Sequence, residues 1–92
     1  MKLTINNVKV SGGDRRHVLD QLQKFADRFS DRNFSEVELV KMYDDRFAIL
    51  AYNTDGVMTE HKYFDRQDLM IGYILGANAH MSSTHVIKEL HK

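Results

Sequence analysis

The stretch from Asp65 to Met81, DRQDLMIGYILGANAHM, constrains this chain more than any other. Leu69, Met70, Ile71, Tyr73, Ile74, Leu75, Ala77 and Ala79 put apolar side chains nearly all the way round one helix, so that helix needs cover on more than one side. Asp65 is placed to cap it, and Asp68 adds a carboxylate to the first turn, where unpaired N–H groups and the dipole favour negative charge. The run is too short to cross a bilayer and is flanked by charge, which excludes a transmembrane reading. Gly72 and Gly76 sit four apart on one face. Each costs up to about 1 kcal/mol in a helix interior relative to alanine, so a packing gain is required. Two gains fit: close approach to the helix's own sheet, or a helix–helix contact within the chain or across a homodimer.

The rest of the chain must supply that cover. Ninety-two residues suit one small domain spanning 1–92. Leu3, Ile5, Val8 and Val10 mark a first strand, with Asn6-Asn7 breaking the alternation as a bulge would. After Ser11-Gly12-Gly13, a helix is predicted from Asp14 to about Ser30. Its stripe is Val18, Leu22, Phe25 and Phe29, joined by Leu19 and Ala26. Asp20, Lys24, Asp27 and Arg28 make a mixed solvent face, with Asp20 and Lys24 at a favourable spacing.

From Ser35 to Phe64 the apolar period becomes two. Val37, Leu39 and Tyr43 alternate with polar neighbours, Asp44-Asp45 turns the chain, and Arg46–Tyr52 (RFAILAY) is a central strand apolar on both faces. Asn53-Thr54-Asp55-Gly56 is a hairpin signal, after which Val57–Phe64 is an outer strand directing Thr59, Glu60, His61 and Lys62 to water. Past the apolar helix, HVIKELHK suits a short helical tail. These elements predict an α+β two-layer sandwich in the order β-α-β-β-β-α. The strands form an antiparallel meander, and two main helices lie on one face.

Charge and composition narrow the function. Thirteen basic and thirteen acidic residues cancel, which argues against bulk duplex DNA or an anionic membrane as partner. The absence of cysteine removes disulfides, thiolate chemistry and cysteine-ligated zinc. The start, MKLTINNVKV, has no apolar core of a secretory signal, so a cytoplasmic location is expected.

Chemical motifs are weak. His80, His85 and His91 do not share a helical face at ligand spacing, so no metal is expected; His80 suits the negative end of a helix dipole. Asp44-Asp45 is turn chemistry, and Ser82, Ser83 and His85 lack an orienting acid. Ser11-Gly12-Gly13 lacks the lysine of a phosphate loop, and Asp14 opposes an anion there. No cofactor and no catalytic residue are expected.

Leu3-Thr4-Ile5-Asn6-Asn7-Val8 resembles the first-strand motif of RNA-recognition-motif domains, and Arg46–Tyr52 resembles their central-strand motif without its glycine. That resemblance implies RNA binding, with Phe47 and Tyr52 stacking on bases. The order α-β-β-β-α is also similar to that of double-stranded-RNA-binding domains. In departure from the first, Thr4 and Ile49 stand where aromatics belong and a further hairpin separates the central strand from the second helix. In departure from the second, the basic, glycine-rich start of the second helix is absent. The meander also carries six acidic residues against three basic ones.

The reading the residues favour is a non-catalytic module that binds another protein, as an inhibitor or adaptor of the kind phages and mobile elements direct at host proteins. Met58, Tyr63 and Phe64 are its expected contact residues, and Gly72 and Gly76 its helix-packing or homodimer contact. RNA binding is the alternative, and a small-ligand sensor the second alternative.

Overall fold

The computed structural model describes residues 1–10, 15–29 and 33–80. It shows a small α+β domain with a four-stranded mixed sheet and two helices. The chain order is β1 (Lys2–Asn6), α1 (Arg15–Asp27), β2 (Phe34–Lys41), β3 (Phe47–Asn53), β4 (Met58–Phe64) and α2 (Gln67–His80). The strands lie side by side as β1-β2-β3-β4. β1 runs parallel to β2, while β2, β3 and β4 form the antiparallel meander. Asp14, Ser30 and the tail helix predicted beyond Met81 lie outside the described residues.

The predicted period changes appear where expected. In α1, Leu22, Phe25 and Ala26 are buried, and the chain tightens after the helix as the Arg28 and Phe29 amides donate to the carbonyls of Phe25 and Ala26. That turn swings Phe29 inward, its ring edge-on to Phe25 at 5.5 Å and to Phe34 at 5.3 Å. α2 contributes Met70, Ile74 and Ala77, and these meet the α1 residues over Val37, Leu39, Ile49 and Ala51 of the sheet. Burying such side chains stabilises the fold by about 1.5–3 kcal/mol each.

The turns follow local chemistry. Asp45 adopts φ 66°, while Asp44 accepts hydrogen bonds from both the backbone and the guanidinium of Arg46. Those bonds hold the Asp44 carboxyl below its ordinary range. At the β3–β4 hairpin, Asn53 Oδ1 accepts from the amides of Asp55 and Val57, and Gly56 takes φ 80°, a left-handed geometry that glycine adopts without strain. Asn7, at φ 60°, ends β1 two residues after Ile5.

Four expectations are corrected. Tyr43 is not an inward member of the β2 alternation: β2 ends at Lys41, and Tyr43 stands fully exposed in the turn beyond. Val8 and Val10 do not continue β1, although Val8 is buried against the core. Glu60 does not point to water but is buried. The reason is phase: Phe64 packs against the core, opposite Phe47, and carries Lys62 and Glu60 to the same side, opposite Ile49 and Ala51. Lys62 sends its ammonium over the rings of Phe64 and Tyr73 at 5.9 and 5.4 Å. Finally, Gly72 and Gly76 are not the site of close approach to the sheet. A Cβ on either would meet nothing within 4 Å, and Gly72 is exposed. Among the described residues, no helix is long and apolar enough to cross a membrane.

Candidate functional site

β3 is apolar on both faces because it serves both. Phe47, Ile49 and Ala51 face the helices, while Ala48, Leu50 and Tyr52 face the other way with Glu36, Glu38 and Val40 of β2 and His61 and Tyr63 of β4. Parallel pairing brings Lys2, Thr4 and Asn6 of β1 onto this second face, opposite Glu36, Glu38 and Val40.

Its middle is a hydrogen-bonded network anchored on two glutamates. Tyr52 donates its hydroxyl to Glu38 Oε1 at 2.7 Å, and the Asn6 amide donates to Glu38 Oε2 at 3.0 Å. The Thr4 hydroxyl donates to Glu36. The bond to Glu38 and partial burial push the Tyr52 phenol up to about 12. Tyr52 therefore holds its proton at neutral pH. It serves as a donor to Glu38.

Toward β4 the face becomes aromatic. The Arg46 guanidinium sits over the Tyr63 ring at 4.6 Å, tethered from behind by Asp44 at 2.6 Å, and the His61 ring lies 5.4 Å from that of Tyr63. Tyr63 is thus held on two sides yet remains 39% exposed. Met58 lies opposite Tyr52 after a register shift in β4 and is 41% exposed. Beneath them Leu50 and Ala48 are buried.

The structure places the expected contact residues unequally. Met58 and Tyr63 present exposed side chains, whereas Phe64 turns to the helices and lies 5.6 Å from the Tyr73 ring. Of the stacking pair for nucleic acid, Phe47 packs against the core and Tyr52 faces outward, engaged with Glu38. The two rings therefore lie on opposite faces of β3. Gly72 and Gly76 lie on α2, outside this network. Among the described residues no three His, Asp or Glu side chains converge as a metal site would require; His85 and His91 lie outside them.

Sequence reasoning missed Thr4, Asn6, Glu36, Glu38 and Arg46 as parts of this surface. The i, i+2 spacing of Glu36 and Glu38 on a strand was the available signal, since it puts both carboxylates on one face. Fold and surface together define the class: a small α+β domain presenting one networked sheet face. The sequence matches no protein-family model and no curated protein.

Proposed function

We propose that this chain is a non-catalytic protein-binding module, an inhibitor or adaptor acting in the cytoplasm, and that it binds through the sheet face remote from the helices. The observation that carries this reading is Tyr63. It is an exposed aromatic clamped by Arg46 and His61, beside exposed Met58, over a buried Leu50 floor. Pre-positioned aromatic side chains lose little entropy on binding, and aromatic and methionine anchors are enriched at interface centres. The polar network on β1 and β2 supplies the rim with groups already fixed in direction. We read the two helices as a single layer on the opposite side, which gives the two-layer sandwich and leaves this face for a partner.

The test is affinity capture with the tagged chain under nuclease treatment, comparing the wild type with the Tyr63→Ala/Met58→Ala double variant. A stoichiometric protein captured by the wild type and lost from the folded double variant supports the reading. Capture unaffected by the double substitution places the contact elsewhere, and capture abolished by nuclease replaces it with nucleic-acid binding.

A further inference from the structure

β1 is shorter than the strand beside it, and the mismatch leaves a notch. Asn6 is its last paired residue, opposite Val40. Asn7 then takes φ 60°, while β2 continues one residue further, to Lys41, before the chain enters the turn through Met42 and Tyr43. Asparagine is among the residues that tolerate this left-handed geometry best, so the break is built into the local sequence. The result is an open cavity of about 620 Å³, within the range of ligand-sized clefts.

The lining has a chemical bias that the chain as a whole lacks. The protein is formally neutral, yet the notch is lined by Lys9 and Lys41 and by no acidic residue among those described. Lys41 reaches Asp45 at 3.6 Å, but both side chains are exposed, and such a pair is worth only about 0–1 kcal/mol, so an incoming anion competes for it readily. Asn7 adds an amide side chain at the strand end that can donate and accept, whereas the Asn6 amide already donates to Glu38. Tyr43 stands at the lip, fully exposed with no cover for its ring. Half-buried Val40 and Met42 supply an apolar floor.

From this juxtaposition we infer that the notch binds a small organic anion bearing a planar ring, of the mononucleotide class. Lys9 and Lys41 receive the phosphate, Tyr43 closes over the ring, and the Asn7 amide meets its polar edge. An aromatic face and paired ammonium groups are the chemistry such a ligand requires. This site borders the polar rim of the Met58–Tyr63 surface through Asn6, but Lys9, Lys41 and Tyr43 lie outside that rim's hydrogen-bonded network.

The experiment is a titration of the isotopically labelled full chain, followed by amide chemical shifts, with adenosine monophosphate, adenosine and inorganic phosphate in parallel. Saturable shifts at Asn7, Lys9, Lys41 and Tyr43 with the monophosphate, and weaker binding of either half alone, are expected. The Tyr43→Ala and Lys9→Gln/Lys41→Gln variants alter exposed side chains and keep the fold. Each is expected to bind about tenfold more weakly, the scale of one stacked base or one charge-assisted contact. Absence of saturable shifts at millimolar monophosphate overturns the proposal, as does undiminished affinity in both variants. Phosphate binding as tightly as the monophosphate removes the ring from the assignment and overturns it too. A single-stranded tetranucleotide binding far more tightly than the monophosphate overturns the free-ligand class in favour of a nucleic-acid end.

Discussion

Arg28 and Asn78 lock the two helices together from both sides of one contact. The guanidinium donates Nε to Asn78 Oδ1 at 3.2 Å and Nη2 to the Asn78 carbonyl at 2.9 Å. The Asn78 amide meanwhile donates to the Gln21 carbonyl at 2.7 Å and to Gln21 Oε1 at 3.0 Å. One asparagine thereby joins α2 to Gln21 within α1 and to Arg28 just past its end, beside the edge-on packing of Phe25 against Tyr73 at 6.4 Å. Replacing it by alanine leaves the half-buried Gln21 carbonyl without this donor. Asn78→Ala is expected to cost about 1–2 kcal/mol, visible as a fall in Tm of about 4–16 °C for a domain of this size, read by thermal circular dichroism. An unchanged Tm would show that solvent replaces the clasp at no cost.

The Tyr52–Glu38 bond predicts a titration. The folded phenol is pushed up to about 12 from its ordinary 10.0, so the folded state holds the neutral form more tightly than the unfolded chain does. Its contribution to stability is therefore complete below pH 10 and is lost as pH rises from 10 towards 12. Ultraviolet difference spectra should show Tyr52 ionising well above its ordinary 10.0, and Glu38→Gln should bring it back toward that value. A late-titrating tyrosine that persists in Glu38→Gln would assign the shift to burial instead.

Gly72→Ala and Gly76→Ala each place a methyl group in open space on a helix. Each is expected to stabilise the isolated chain by about 0.5–1 kcal/mol, because alanine loses less backbone entropy on folding. Denaturant midpoints measured at several protein concentrations separate the cases. A concentration-dependent loss of stability in the variants would show that the Gly72–Gly76 face of α2 packs against a second copy.

Three aromatic substitutions should divide sharply. Phe25→Ala removes a fully buried ring in contact with Phe29 and Tyr73, with an expected cost of about 3–5 kcal/mol. Phe47→Ala, on the helix side of β3, should cost about 2–3 kcal/mol, which would make any loss of binding in that variant a folding effect. Tyr43→Ala, fully exposed, should stay within about 0.5 kcal/mol of the wild type. Urea unfolding of the three variants is the check, and a destabilised Tyr43→Ala would show that its ring packs against the protein in solution.

Much of the architecture is written in short-range chemistry. The stripe of Leu22, Phe25 and Ala26 makes a helix, Asn53-Thr54-Asp55-Gly56 makes a hairpin, and the run FAILAY makes a strand apolar on both faces. Each of these signals lies within one or two turns of chain, so the sequence alone determined the element order. The candidate surface was half legible: Met58 and Tyr63 were readable as exposed side chains on an outer strand, and Tyr52 as an aromatic on a central one.

Tertiary structure decided the rest, because period two leaves a strand two equal phases. In β4 neither phase is plainly apolar, and the docking of Phe64 beside Phe47 and Tyr73 determines the phase, which buries Glu60 and turns Tyr63 outward. Likewise nothing local to β1 says that it lies parallel to β2, yet that pairing carries Asn6 and Thr4 to Glu38 and Glu36, 32 residues away in sequence, and opens the notch where β1 stops short. The glycines of α2 show the same division. Their spacing announced a face, but which way that face points was settled by Met70, Ile74 and Ala77 taking the side toward the sheet. Residue type and spacing specify what an element is; its partners, through burial spread over the whole core, specify where its side chains go.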